Sequence, residues 1–134
     1  MRPYRTKGRS ISFYSGKNEN MIIAYSQEVR DYAGLLENNS DIRGYEVYVP
    51  LSEDLYKNIN PIDIRKAYFE EKWTSDFLLH YMDDTLGVRE LVGKEGLNKR
   101  SVIEQIEFSR RYWSLKNIKD WKLVILERRK SDVL

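Results

Sequence analysis

The sequence has 134 residues, no cysteine and a single histidine, His80, and 33% of its residues are charged. A chain of this length fits one domain and can bury a core without a disulfide or a structural metal. The lack of cysteine excludes disulfide frameworks, zinc fingers and thiol nucleophiles.

Charge is unevenly distributed along the chain. The net charge is +2, but residues 1–18 carry five Lys or Arg and no acid, whereas the remaining 116 residues carry 18 basic and 21 acidic side chains. A short basic arm on a near-neutral body is typical of proteins that bind a polyanion, and equally of a solvated tail. We therefore treat residues 1–18 as an arm and take its basic side chains Arg2, Arg5, Lys7 and Arg9 as candidate DNA contacts.

Apolar runs in the sequence are short. The longest, at residues 21–25 and 123–126, fall far below the ~20 residues that a transmembrane helix needs. The first residues are basic but lack the apolar stretch of a secretory signal. We expect no membrane association and a cytoplasmic protein.

The first half of the chain predicts a strand, a helix and a second strand. Residues 11–14 favour a short strand, and residues 15–20 a polar turn. Ser26 is a good N-cap for a helix over residues 26–37, in which Val29, Tyr32, Ala33 and Leu36 recur at helical spacing. Aromatic and β-branched residues then predict a strand over 45–51. Residues 52–72 are irregular, with one or two helical turns near 64–70.

The second half predicts a hairpin, a helix and a last strand. Strands over 74–81 and 88–94 flank a turn at 83–87, and we place Asp84 at its tip. Ser101 and Glu104 have capping-box spacing, which predicts a helix over 102–116. A strand follows over 121–126. This order predicts a mixed α/β domain with a central sheet flanked by helices.

The predicted hairpin brings together groups with possible chemistry. With Asp84 at the tip, Asp76 lies opposite Val92, and Asp76 and Lys94 converge at one end of the hairpin. A carboxylate beside a lysine can hold a metal ion and neutralise a phosphate or a hydroxide. The alternative is a surface ion pair at the end of a strand.

Three stretches carry a resemblance to a known family. They are Trp73-Thr-Ser-Asp-Phe-Leu, Lys94 on the next strand, and Glu-Gln-Ile-Glu-Phe-Ser-Arg-Arg-Tyr-Trp over residues 104–113. Together they resemble the TnsA family, the endonuclease subunits of certain DNA transposons. The likeness covers about residues 26–126 and implies a restriction-endonuclease-like core of the PD-(D/E)xK type over 19–127, followed by a short basic tail over 128–134.

The resemblance also implies a metal-dependent site. The family uses a Glu on the first helix, the Asp of the Asp-Phe-Leu strand, and a Glu or Gln two residues before a Lys. Asp76 and Lys94 match. The helix position holds Val29, with Glu28 beside it, and the position before the lysine holds Val92. We therefore expect Asp76 and Glu28 to bind Mg²⁺ or Mn²⁺ and Lys94 to assist. Glu90 is a possible alternative ligand.

The implied partners are double-stranded DNA and a transposase or recombinase subunit. Arg110 and Arg111 are further candidate DNA contacts, although their stems could simply cover the outer face of the helix. Three functions remain open. The chain could be a TnsA-like endonuclease, a TnsA-like subunit that binds DNA or assembles without cutting, or a protein-binding α/β module. His80 could assist the site as a base, or could simply pack on the sheet.

Overall fold

The computed structural model describes residues 1–3 and 9–127. Within them the chain forms seven strands and two α-helices, which we number in chain order. They are β1 (Arg2–Pro3), β2 (Ile11–Ser15), β3 (Asn20–Ala24), α1 (Gln27–Glu37), β4 (Ile42–Pro50), β5 (Trp73–Tyr81), β6 (Leu86–Gly93), α2 (Arg100–Leu115) and β7 (Asp120–Leu126). Short 3-10 segments lie at Glu53–Asn58, Lys66–Glu70 and Lys94–Asn98.

The main sheet is mixed, which confirms the predicted α/β class. β5 pairs antiparallel with β4 on one side and with β6 on the other, and β7 pairs parallel with β6. α2 connects these two parallel strands, as a crossover between parallel strands requires. β1 adds two residues beside β5, in the register Arg2↔Thr74 and Pro3↔Trp73. β2 and β3 form a separate antiparallel hairpin.

α1 forms where the sequence predicts it. Ser26 caps the helix, because its side chain accepts a hydrogen bond from the backbone N–H of Val29 at 3.2 Å. Val29, Ala33 and Leu36 are buried against a core that includes Phe77 of β5. The apolar spacing therefore identified the buried face of α1.

α2 covers a second core on the sheet. Phe108 is fully buried and meets Tyr56 edge-on, with ring centroids 5.0 Å apart. The Tyr112 hydroxyl accepts a hydrogen bond from the backbone N–H of Ser52 at 2.8 Å, which fixes the start of the irregular stretch. The loop between β4 and β5 is thus held against α2 by specific side chains.

The predicted capping box is wrong. α2 begins at Arg100, and Lys99 in the cap position makes no side-chain capping bond. Glu104 instead accepts hydrogen bonds from the backbone N–H of Arg65 at 2.6 Å and from its guanidinium at 2.9 and 3.1 Å. A two-pronged bond to a charged guanidinium is stronger than a neutral capping bond, so Glu104 turns to the loop rather than back to the helix start.

The predicted register of the hairpin is also wrong. Phe77 pairs with Arg89 and His80 with Leu86, so the turn centres on Asp83 rather than on Asp84. The Asp83 carboxylate accepts hydrogen bonds from the N–H and the hydroxyl of Thr85. These bonds fix a short loop, in which Asp84 takes a φ of 68°. Each residue of β5 therefore lies opposite a β6 residue two positions earlier in the chain than predicted. β6 ends at Gly93, and Lys94 begins a 3-10 segment.

The segment predicted as a basic arm contributes to the fold. Residues 2–3 join the main sheet and residues 11–15 form one strand of the hairpin. Arg5 and Lys7 lie outside the described residues, as does the predicted tail over 128–134. In the part of the chain that the structure describes, no helix has the length and apolar character to cross a bilayer.

Candidate functional site

β5 and β6 separate at Asp76, and the side chains there replace the backbone ladder. The last backbone pair is Phe77↔Arg89. One residue further, the N–H of Asp76 donates to Glu90 Oε1 at 3.0 Å, and the N–H of Leu91 donates to Asp76 Oδ2 at 2.7 Å. Beyond this point β6 remains paired with β7, while β5 pairs with β1. We call this wedge, which holds Asp76 and Glu90, the strand fork.

Hydroxyl groups of β5 and α2, each bound in turn by an indole, hold Glu90 in place. Glu90 Oε2 accepts hydrogen bonds from the hydroxyls of Ser75 and Ser109. Ser75 Oγ in turn accepts from the indole N–H of Trp113 at 2.8 Å, and Ser109 Oγ from that of Trp121 at 3.0 Å. Each partner is itself held by a buried or half-buried aromatic residue. The position of the carboxylate is therefore determined by the helix and the last strand as well as by β6.

The chain supplies its own cations to the strand fork. The α-ammonium of Met1 lies 2.9 Å from Glu90 Oε1 and 3.4 Å from Asp76 Oδ2. Arg2 Nε donates to Asp76 Oδ1 at 3.1 Å. Burial by itself would lower the pKa of the ammonium, but the two carboxylates together raise that pKa above its usual value. Two buried carboxylates therefore meet one buried ammonium and one guanidinium whose side chain is 31% exposed.

Both carboxylates are closed off from solvent. The side chain of Asp76 is 0% exposed and that of Glu90 is 1% exposed. Every oxygen of the two groups accepts from a protein donor. Buried charges persist only when they are paired and hydrogen-bonded, and this cluster meets both conditions.

The predicted site residues divide into two that converge and two that do not. Asp76 and Glu90, the possible alternative ligand, lie together in the strand fork. Lys94 is 68% exposed, and its Nζ lies 3.9 Å from Glu127. Glu28 is exposed on α1, whereas its neighbour Val29 is fully buried. The expected approach of Lys94 to Asp76 fails because β6 ends at Gly93 and the register differs by two residues.

The residues of the strand fork do not fit a divalent metal ion as they are arranged. Mg²⁺ and Mn²⁺ take six or so oxygen ligands with near-octahedral geometry. Among residues 1–3 and 9–127, no group of three or more acidic, His or Cys side chains is placed to hold a metal. The oxygens of Asp76 and Glu90 already accept hydrogen bonds, and an ammonium and a guanidinium already balance their charge.

Most of the described arginines predicted to contact DNA are engaged within the protein. Arg2 is bound to Asp76. Arg110 donates two hydrogen bonds to the Glu107 carboxylate, of which the one from Nε to Oε2 is 2.9 Å long. These bonds lower the pKa of Glu107. Arg111 also contacts Glu107 at 2.9 Å. Only Arg9 of this described set lies exposed without a described ion pair.

His80 lies outside the strand fork. Its Nε2 is 2.6 Å from Glu46 Oε2, on neighbouring strands at the surface. The ring is 34% exposed, so it is half-buried on the sheet rather than directed at Asp76.

Two surface features near α2 and β7 were not identified from the sequence. A groove of about 380 Å³, here called the basic groove, is lined by Arg110, Ser114, Asn117, Ile118, Lys119 and Trp121. A larger groove of about 750 Å³ lies between the β5–β6 turn and the α2–β7 loop. No sequence motif marks either groove, because residues from separate secondary-structure elements line each of them.

The convergence of Asp76 and Glu90 did have a signal in the sequence. The Asp-x-Thr spacing of Asp83 and Thr85 is a turn pattern in which a carboxylate accepts from the N–H two residues on. A turn centred on Asp83 places Glu90 directly opposite Asp76.

Comparison with known proteins adds no identification. Neither protein-family models nor curated protein sequences match the chain.

Proposed function

We propose that this chain is a TnsA-like subunit that binds DNA at transposon ends, beside a transposase partner in the cytoplasm, and does not cleave it. The proposed fold is a restriction-endonuclease-like core. The TnsA-like sequence stretches support this assignment, and the mixed sheet with its flanking helices is compatible with it. The observation that carries the non-cleaving role is that both carboxylates of the strand fork are buried and neutralised by the chain itself.

Phosphodiester hydrolysis at neutral pH with metal assistance needs an open coordination position for water and substrate. The strand fork does not present its carboxylates to such a metal ion, because both are buried and are already paired with the Met1 ammonium and Arg2. The lysine that would assist the reaction, Lys94, is at the surface against Glu127. The helix carboxylate that would complete the site, Glu28, is exposed on α1. A binding role needs none of these groups.

The basic groove is the surface that supports DNA contact. Its lining combines the cationic side chains of Arg110 and Lys119 with the indole of Trp121. Lysine and arginine side chains bind phosphates by releasing counterions, so such binding weakens with salt. An indole at the edge of the groove offers an apolar surface against the sugar and base edges.

A second candidate function is a metal-dependent endonuclease, and one observation favours it. Asp76 and Glu90 come from adjacent strands and meet where the strands separate, so two carboxylates share one place. Mg²⁺ or Mn²⁺ would be the cofactor, and Asp76 and Glu90 would hold it after the present cations had left.

The test combines a cleavage assay with a binding assay. Purified protein is incubated with supercoiled plasmid and Mg²⁺ or Mn²⁺, and duplex binding is followed by gel retardation between 50 and 300 mM salt. We expect no nicking, and an affinity that falls steeply with salt. Lys119→Glu should weaken binding at least several-fold, whereas Lys57→Glu, outside the basic groove in the segment Glu53–Asn58, should not.

Two results would overturn the proposal in different directions. Metal-dependent nicking that disappears in Asp76→Asn would establish the endonuclease. Absence of salt-dependent duplex binding would leave a protein-binding α/β module instead.

A further inference from the structure

We propose that the larger groove, at one end of the main sheet, is the contact surface between two copies of this chain related by a two-fold axis. We call it the turn groove. Its volume is about 750 Å³, and it lies between the β5–β6 turn and the α2–β7 loop. The inference goes beyond the proposed function and does not rest on it, because association of two copies requires no DNA.

Exposed acidic and basic side chains lie on opposite sides of the turn groove. On the acidic side, the carbonyl of Asp41 accepts a hydrogen bond from the N–H of Met82 at 2.8 Å, which holds Asp41 next to the turn that carries Asp83. On the basic side, Lys116 and Lys119 belong to the loop between α2 and β7. The sheet order β4, β5, β6, β7 separates the start of β4 from the start of β7 by three strand spacings, or about 14 Å.

Other charged residues near the turn groove are compensated within the same chain. Asp120 lies on the basic side, but the guanidinium of Arg89 donates to both of its oxygens, at 3.0 and 3.2 Å, and the hydroxyl of Tyr81 also donates to it. Next to the acidic side, Arg43 is bound to Asp84. Each side of the turn groove therefore keeps the sign of its own exposed residues.

Apolar side chains lie between the two charged sides. Met82 is 62% exposed and Leu86 is 36% exposed, and Ile118 lines the groove with them. Burial of apolar surface stabilises an association by roughly 25 cal/mol per Å², whereas charges around it select the partner and its orientation. An apolar centre with a charged rim is the arrangement typical of contacts between proteins.

A second copy of the chain is the occupant that this charge pattern fits. A rotation by 180° about an axis through the turn groove brings the acidic side of each copy against the basic side of the other, because every contact across a two-fold axis occurs twice. A partner of uniform charge would be repelled by one side, as DNA phosphates would be by Asp41 and Asp83. A contact confined to one groove is small, so we expect a weak dimer with a Kd of roughly 10–100 µM.

Sedimentation of the full chain without DNA, from roughly 5 to 500 µM, measures this association. Asp41→Lys sets like charges against each other at two places in the dimer, and so does Lys116→Glu. Either variant should weaken the dimer on the order of tenfold or more. Asp54→Lys and Lys57→Glu are the matched controls, since both residues are exposed in the segment Glu53–Asn58 outside the turn groove. Both controls should dimerise as the original chain does.

Mixing the two variants distinguishes a two-fold contact from a general loss of stability. When Asp41→Lys binds Lys116→Glu, opposite charges face each other at both places, so an equimolar mixture should sediment as a dimer although neither variant alone does. Recovery in the mixture also shows that both variants are folded. Met82→Gln, which removes apolar surface from the middle of the groove, should weaken the dimer of the original chain.

Three results would overturn the proposal. A chain that remains monomeric up to about 500 µM would leave the turn groove to a different kind of partner. Dimerisation that neither Asp41→Lys nor Lys116→Glu weakens would place the contact elsewhere. Loss in both variants without recovery in the mixture would show that the two sides do not face each other. None of these measurements contains DNA, so they are independent of the plasmid and gel-retardation assays that decide the proposed function.

Discussion

Replacing Asp76 with alanine tests whether the strand fork stabilises the fold or strains it. The substitution removes the acceptor of the Leu91 N–H, the partner of Arg2 Nε, and one of the two carboxylates around the Met1 ammonium. All of these groups lie at a side chain that is fully buried, so water cannot readily replace the lost bonds.

The expected magnitude follows from those losses. Leaving a buried N–H without an acceptor costs about 1–3 kcal/mol. Removing one partner of a fully buried ion pair costs about 3–5 kcal/mol. Here the ion-pair loss is smaller than that, because the Met1 ammonium keeps Glu90 at 2.9 Å and the Arg2 side chain is 31% exposed. We expect Asp76→Ala to lower the free energy of unfolding by about 3–5 kcal/mol, and Asp76→Asn, which keeps an acceptor for Leu91, to lower it by less. For a domain of this size, the Tm should fall by roughly 10–20 °C.

The assay is urea unfolding followed by tryptophan fluorescence and circular dichroism, with equal m-values required for the comparison. Combination with Arg2→Ala in a double-mutant cycle isolates the ion pair itself. A Tm that is unchanged or higher in Asp76→Ala would refute the reasoning. Two carboxylates that mainly repel each other, as in a metal site lacking its metal, would give that opposite sign.

Two further predictions concern other parts of the fold. Gly87→Ala should lower the free energy of unfolding by about 1–3 kcal/mol, because the added Cβ would lie 2.4 Å from an Asp120 oxygen that is held in place by Arg89. Gly34→Ala is the control: its Cβ would meet nothing closer than 3.6 Å, so it should raise the free energy of unfolding by about 0.5–1 kcal/mol. Equal changes of Tm in the two variants would contradict this reasoning. The hydrogen bonds from the Arg65 side chain, followed by that from its backbone N–H, lower the pKa of Glu104 to about 2. Because the folded pKa lies below the unfolded value, the stabilising effect of Glu104 is complete above pH 4.5 and is lost as the pH falls toward 2. The free energy of unfolding of the Glu104→Gln variant should therefore depend less on pH between 4.5 and 2 than that of the original chain. If both proteins lose stability equally as the pH falls through this range, Glu104 is not the titrating group.

Local patterns in the sequence predicted individual elements well. Ser26 and the spacing of Val29, Ala33 and Leu36 located α1, because capping and helical periodicity depend on residues within a few positions of one another. The helix predicted over residues 102–116 likewise matches α2, Arg100–Leu115, to within two residues at either end.

Pairing between elements was harder to predict, and the site depended on it. A difference of one residue in the centre of the β5–β6 turn changes the partner of Asp76 from Val92 to Glu90. The capping box failed for a related reason, since Arg65, distant in sequence, competes for Glu104.

By itself the sequence determined the α/β class and the buried face of α1, since these depend on short-range periodicity and on residue type. Only the tertiary structure decided that Glu90 joins Asp76, that Lys94 faces Glu127, and that residues at the start of the chain neutralise the pair. Strand register and the approach of distant charges follow from the packing of the whole chain, which no local stretch of sequence contains.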